Sequence, residues 1–455
     1  MSNYLGWWLF DAIALAEAPW HRCVHNIVTR NAGVRQVKTG KQAHAFYGCR
    51  VVYAAFVLGA FGWGLGFYGP PIFLSVIRES RGWSVALISG AVSVHFLTGA
   101  LCGANLHGLH GRYGAATVTR AGALAMAAGI TGWGIASAPW HLFVAAALSG
   151  AGWGTMSAAA LNAIVSPWFV RGRPAALGMA YNGGSVGGIV FSPLWVVAIS
   201  GLGFSLAASL IAVFMLITLW VLAGSVFART PRMMGLRADG DAPDAPVASV
   251  TSATAQSLPG ARLWRDRRFV TLATGMTLGL FAQIGLIAHL YSLLAPALGA
   301  QGAGWAMALV TVMAIVGRTL LGHWMPLGAD RRLVACGGYA MQIAGSLAFM
   351  AAGGTSVPLM LTGVVLFGLG FGNANSLPPL IAQVEFTEAD VPRVASLIVA
   401  LAQGGYAISP AFFGLIRELA TPTVGMALRD APVVFAAAAL VQCLAIVAFV
   451  AGRRH

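Results

Sequence analysis

Apolar residues run along this chain in blocks rather than in alternation. After residue 50, apolar stretches of roughly 20 residues, the length that crosses bilayer hydrocarbon, follow one another with short polar breaks. Continuous runs favour helices, because the strands of a membrane barrel would alternate apolar and polar positions. The pattern predicts about twelve transmembrane helices, near 51–77, 85–106, 117–137, 140–165, 174–198, 202–227, 269–294, 303–325, 332–352, 357–383, 393–416 and 431–452. One long polar segment, 229–268, divides them into an N-terminal half (51–228) and a C-terminal half (269–455). Its middle, ADGDAPDAPVASVTSATAQSLPG, is poor in bulky apolar residues and is expected to be a flexible cytoplasmic linker.

Residues 1–50 differ from the rest. Acidic Asp11 and Glu17 interrupt an early aromatic cluster, and a basic stretch free of acids follows. This reads as a cytoplasmic extension rather than a signal peptide, which would begin basic and continue unbroken.

Composition agrees with the pattern. The 455 residues are 58% hydrophobic and only 9% charged, against about 25% charged in soluble domains. The net charge of +14 would suggest nucleic acid in a soluble protein. Here Lys and Arg cluster in alternate loops, as the positive-inside rule requires, so nucleic acid is excluded as a partner. Five scattered cysteines lack metal-type spacing and indicate neither a zinc site nor a disulfide framework. No cofactor is implied, and no nucleophile–base pair or phosphate-binding loop suggests an enzyme or a nucleotide-driven pump.

The charges also orient the chain. The N-terminal arm, Arg112, Arg171, Arg173, the linker, Arg331, Arg332, Arg393 and Arg453–Arg454 fall on one side. Arg78, Arg81, Arg417 and Arg429 fall in the opposite loops. Both termini are therefore expected in the cytoplasm, with the chain in the inner membrane.

An internal repeat supports the division into halves. GAGWG at Gly150 recurs as GLGFG at Gly368, Phe169 as Phe386, Arg173 as Arg393, NGGS at Asn182 as QGGY at Gln403, and Ser192–Pro193 as Ser409–Pro410. The offset stays at roughly 220 residues, the signature of two parallel six-helix repeats.

The stretch PWFVRGRPAALGMAYNGGSVGGIVFSP, 167–193, carries the most information. Two arginines lead into a helix whose glycines Gly183, Gly184, Gly187 and Gly188 have small-xxx-small spacing, suited to close backbone contact. In this stretch and in its repeat the chain resembles the major facilitator superfamily, and within it bacterial relatives of the monocarboxylate transporters. That family's fifth-helix signature, Y-F-x-K/R-R-x-L-A-x-G-x-A-x-A/S-G, is matched at Phe169, Arg171, Ala176, Gly178, Ala180 and Gly183. The resemblance implies an all-α membrane fold and alternating access. It also implies a cytoplasmic gate at Arg112, Asp330, Arg331, Arg171 and Arg173, although Gly111 stands where the gate's first acid belongs. Arg318 matches the family's carboxylate-binding arginine. The acid one turn earlier is replaced by Ala314, and Pro70–Pro71 stand in place of the first-helix lysine.

Ionisable groups at membrane depth are costly and mark function by default. Arg318 is the outstanding one; its guanidinium can hold a carboxylate through two parallel hydrogen bonds. No acid lies clearly inside a span, so His95 and His289 are the candidates for proton coupling. Asn182, Gln403, Tyr68, Asn373, Asn375, Tyr406, Gln283 and Tyr291 complete the expected substrate cavity. The reading is a monomeric secondary transporter for a small organic anion, which the resemblance implies is a monocarboxylate. Efflux or antiport of another small metabolite is the alternative within transport, and a membrane receptor or sensor the alternative outside it.

Overall fold

The computed structural model describes residues 46–240, 260–325, 329–374, 377–387, 390–420 and 432–453. The first half comprises α1 (Tyr47–Arg81), α2 (Val85–Tyr113), α3 (Ala115–Ile135), α4 (Pro139–Trp168), α5 (Arg173–Leu202) and α6 (Phe204–Phe227). The second comprises α7 (267–298), α8 (300–324), α9 (Arg331–Ala352), α10 (357–385), α11 (391–420) and α12 (Pro432–Ala451). Among the described residues, nine helical stretches are long and apolar enough to cross a bilayer. One of them, Arg267–Leu321, turns back at Gly299 and supplies two crossings, and α3 and α10 bring the number to the expected twelve.

Several spans differ in detail from the sequence expectation. The gap expected between 294 and 303 shrinks to a turn at Gly299, whose φ of 73° is open to glycine at little cost. The fourth span is interrupted at 155–157, and the tenth unwinds after Phe371 and resumes at Leu377. The eleventh changes direction at Ile408 and continues to Ala420, four residues beyond its expected end at 416. In α1, a π-helical turn spans Gly62–Phe67.

The linker is not wholly separate from the helices. Its first residues fold back on the α4–α5 loop, where the Asp239 carboxylate accepts from the backbone amides of Val170, Arg171 and Gly172 at 3.1, 2.8 and 3.2 Å. Most of the low-complexity middle, and residues 1–45, lie outside the described residues.

The glycine repeat has a packing cause. A Cβ on Gly150 or Gly154 would run into the carbonyl of His95 or Gly99, so α4 lies backbone to backbone on α2. In the second half, Cβ atoms on Gly368 and Gly372 would meet the carbonyls of Val310 and Ala314 in the same way, placing α10 on α8. The α5 glycines do this against α1, where Gly183 meets the Phe56 carbonyl and Gly187 the Ala60 carbonyl. Close approach of this kind is how helices gain packing energy where lipid offers no hydrophobic contrast. The aromatic pair that opens the signature is buried as well: Trp168 and Phe169 pack on Phe46 and Tyr47, with ring centroids 5.3–6.2 Å apart, and seat the start of α1.

Gly178, by contrast, has open space where a Cβ would go. Gly183→Val should therefore destabilise the protein by about 1–3 kcal/mol through overpacking, while Gly178→Val changes little. Thermal unfolding of both variants in detergent checks this; equal midpoints would mean that α1 and α5 do not need their close approach.

Candidate functional site

Breaking a helix inside a membrane frees backbone carbonyls that no water can satisfy. The breaks in α4 and α10 occupy equivalent repeat positions, just after GAGWG and GLGFG, yet they are closed differently. In α4, Thr155 and Ser157 hydroxyls donate to the carbonyls of Gly152 and Gly154, both at 2.8 Å. In α10, the donors come from other helices. Arg318 Nε of α8 donates to the Gly372 carbonyl at 3.2 Å, and Gln283 Nε2 of α7 reaches the Phe371 carbonyl at 3.5 Å.

This arrangement fixes the Arg318 guanidinium through Nε alone. Its two terminal nitrogens donate to no protein group among the described residues, and the side chain is exposed although it lies beside Tyr68 of α1. The Tyr68 ring and Thr311 Oγ1 of α8 meet over Gly188 of α5, which leaves just enough room for them. Helices α1, α5, α8 and α10 thus converge on one point where the halves meet. A layer of rings crosses the same level: Phe67 lies 6.5 Å from Phe371 and 6.0 Å from Phe96, which lies 5.9 Å from Tyr406.

Of the other expected cavity residues, Gln283 is fully buried, with its Oε1 lacking a partner among the described residues. Tyr291 is buried near Glu79 of α1. Asn373 is buried in the α10 break and borders a small pocket with Tyr339 and Gln342, within the second half. Asn182 is exposed and Gln403 half-buried, and neither joins the hydrogen bonds around Arg318. Asn375 lies outside the described residues.

The histidines are placed differently from the sequence expectation. His95 is enclosed within the first half, with Nε2 on the Gly66 carbonyl at 2.8 Å and Nδ1 on Ser149 Oγ at 2.8 Å. His289 is enclosed in the second half, with Nε2 3.1 Å from the Pro410 carbonyl. Nε2 must therefore carry the proton, which leaves Nδ1 to face Arg417 Nη1 at 3.4 Å. Both rings are held by protein rather than exposed in the cavity, so their surroundings do not supply the open titrating site expected of a proton carrier.

Sequence reasoning also misplaced two arginines and missed the role of a third. Arg417 is no loop residue: it is buried in α11 and donates to Ser292 Oγ of α7 at 2.6 Å. Arg120, inside the third span, was overlooked as a charge at depth. Arg332 had been counted only as a loop charge. It is buried, and all of its N–H groups are used: on both Glu385 oxygens (2.6 and 2.8 Å), the Arg268 carbonyl (2.9 Å), Thr271 Oγ1 (3.1 Å) and the Phe449 carbonyl (3.2 Å). A charge near a span end gives no sign in sequence of which way it points.

The expected gate residues bond within their own halves. Arg171 and Arg173 hold the α4–α5 loop through Asp239 and the Phe169 carbonyl. Arg112 lies over Tyr113. Arg331 donates to the Leu380 carbonyl at 2.5 Å, and Asp330 caps α9 and pairs with Arg453 at 2.6 Å. Burial pushes the Asp330 carboxyl up, but the Arg453 hydrogen bond and the Leu333 and Arg332 amides outweigh it and hold the group below the usual aspartate range.

The halves are sealed on the side away from the chain ends, and they do it by exchanging helix caps. The Ala86 amide in the first turn of α2 donates to Glu418 Oε2 of α11 at 2.8 Å. The Ala411 amide, freed where α11 restarts at Ser409, donates to Ser93 Oγ of α2 at 2.9 Å. Each satisfies an amide that a helix start leaves without an intrahelical partner. Arg318 lies six residues before the end of α8 on the other side, that of the chain ends, and is exposed there.

Removing one cap costs about 1–2 kcal/mol, or a factor of about 5–30 in a two-state equilibrium. Glu418→Ala should accordingly expose Ser89, which is buried against Gly414 in this seal. With the five native cysteines replaced, Ser89→Cys should react several-fold faster with an impermeant thiol reagent when Glu418→Ala is added. Unchanged labelling would show that the seal does not depend on this cap.

Comparison with known proteins places this geometry. Residues 54–410 match the profile of the Major Facilitator Superfamily. Among solved structures, the nucleoside transporter NupG is similar at a TM-score of 0.68 and 14% identity, over 90% of this chain and 99% of that one. A bacterial homolog of the human lysosomal transporter Spinster, in an inward-facing and unoccupied conformation, is similar at a TM-score of 0.64 and 14% identity, over 91% and 98%. At such identities the likeness is one of fold. No curated protein matches the sequence.

Proposed function

The chain belongs to the major facilitator superfamily, and we propose that it is a secondary transporter that binds small organic anions at Arg318. The superfamily and its fold make it a membrane-embedded transporter of a small molecule rather than an enzyme. The anion is the finer reading, and one observation carries it. Arg318 is anchored through Nε on the Gly372 carbonyl, its terminal nitrogens have no protein partner among the described residues, and Tyr68 of the other half lies within electrostatic reach.

The residue one turn earlier is Ala314, not an acid, so no carboxylate of the preceding turn answers the Arg318 charge. The substrate carboxylate would fill that role with two parallel hydrogen bonds. The Tyr68 ring and the layer of Phe67, Phe96 and Phe371 suit a short apolar body behind the carboxylate, as in a monocarboxylate. Binding would favour rocking of the halves about this midplane point. The open side then faces the cytoplasm, with both chain ends there and the protein acting as a monomer in the inner membrane.

Uptake of labelled short-chain carboxylates into proteoliposomes tests the reading. Arg318→Ala should lower uptake at least tenfold, and Arg318→Lys should recover only part of it, because an ammonium lacks the planar fork. Carboxylate uptake equal to the wild type in Arg318→Ala, or transport of neutral solutes alone, would overturn it.

A further inference from the structure

Arg120 is a second arginine with an unmet hydrogen-bonding group, and it lies away from the transport path. It sits in the second turn of α3, with its guanidinium carbon 5.1 Å from the centroid of the Trp220 ring in α6. One terminal nitrogen lies against Gly224, where a Cβ would collide with it. Its Nε is buried and has no hydrogen-bond partner among the described residues. A desolvated N–H on a charged group without an acceptor is costly anywhere and more so at membrane depth.

The surroundings show where an acceptor could come from. The α6 face around Trp220 is lipid-facing: Phe214, Ile217 and Val221 are about 60% exposed. Past Gly224, α6 winds into a π turn over Ala223–Phe227. There the Tyr47 hydroxyl donates to the Ser225 carbonyl at 2.9 Å, and Arg229 lies 5.5 Å over the Tyr47 ring. Arg229, five residues beyond Gly224, thus places a second cation at the same end of α6, on the side of α1. On this side of the first half, the one carboxylate among the described residues is Asp239, already bound to the amides of residues 170–172. Among the described residues the protein supplies no free anion here, whereas the lipid headgroup layer does.

We propose that the groove between α3 and α6 binds the phosphate of an anionic phospholipid. The partly exposed Arg120 guanidinium donates terminal N–H groups to the phosphate oxygens, and Arg229, held over Tyr47 at the same end of α6, attracts the headgroup. Trp220 and Tyr47 sit at the depth where amphipathic rings favour the interface. Basic pockets between helices on the cytoplasmic side are suited to anionic headgroups.

The full-length protein, purified in detergent, tests this by native mass spectrometry and thermal unfolding. The additions are phosphatidylglycerol, phosphatidylcholine with the same acyl chains, or inorganic phosphate. Wild type should retain phosphatidylglycerol and be stabilised by it more than by phosphatidylcholine. Arg120→Gln should lower that retention about fivefold, the scale of one arginine at a lipid surface, while Arg81→Gln, at the opposite end of α1, retains it. Equal retention of the two lipids by the wild type, or undiminished retention by Arg120→Gln, would overturn the proposal. An equal stabilisation by inorganic phosphate would assign the site to a soluble anion instead. If Arg120→Gln does not fold, Arg229→Gln must show a partial loss of preference, and an unchanged preference there also overturns it.

Discussion

A carbonyl released inside a bilayer must find a donor within the protein, and the placement of the α10 break makes that donor Arg318. Helical continuity normally settles the matter, since every interior carbonyl has its own amide four residues on. Where α10 unwinds after Phe371, continuity is lost, and α7 and α8 each contribute one side chain to restore the balance. A single bond through Nε restrains the guanidinium while leaving its fork directed elsewhere. The anchored arginine, the Tyr68–Thr311 contact and the exposed approach all follow from that local interruption. The α4 break, closed by its own Thr155 and Ser157, imposes no such demand on its neighbours. Two halves with one ancestral pattern have therefore become chemically unequal, with the cation on the second.

The same inequality appears at the ends of the halves. In the second half, Arg332 binds α7, α10 and α12 through a fully satisfied guanidinium paired with Glu385. A buried pair is stabilising only when every donor is used in this way. In the first half, Gly111 stands where an acid would serve the corresponding loop, and the stabilising carboxylate comes from the linker as Asp239. Three converging amides make a good seat for one carboxylate. The linker thus begins as part of the first half's structure before it becomes a connection.

Much of this was legible in the chain itself. Runs of apolar residues set the number of crossings, and the repeat at GAGWG and GLGFG set their division, because both reflect requirements that act residue by residue: transfer into hydrocarbon and close backbone approach. Arg318 stood out for the same reason, as a charge within a predicted span. The helix breaks did not stand out, since Thr, Ser and Asn occur in continuous membrane helices too and only their geometry shows a lost bond. Arg417, His95 and His289 were misjudged because sequence gives depth along a helix but not the direction of a side chain. The aromatic layer of Phe67, Phe96 and Phe371 was hidden among many apolar residues of equal hydropathy.

Rocking requires halves that are stiff within and weakly joined between, and the chemistry is distributed accordingly. Within each half, glycines bring backbones into contact at several levels, so displacing one helix would disturb many van der Waals contacts at once. Between the halves, the far-side closure includes two exchanged caps, Glu418 on the α2 amide and Ser93 on the α11 amide. Each such amide can be satisfied by water once exposed, so opening that side costs little more than the caps themselves. At the midplane the joining contacts are aromatic rings and the approach of Tyr68 to Thr311 over Gly188, which can slide without leaving a charge unpaired. On the proposed function Arg318 is the exception, since its terminal nitrogens, which have no protein partner among the described residues, would gain one from the bound anion. The one group at the pivot whose electrostatic state changes on binding is thus the group best placed to bias the two arrangements, because a ligand shifts an equilibrium only through interactions that differ between its states.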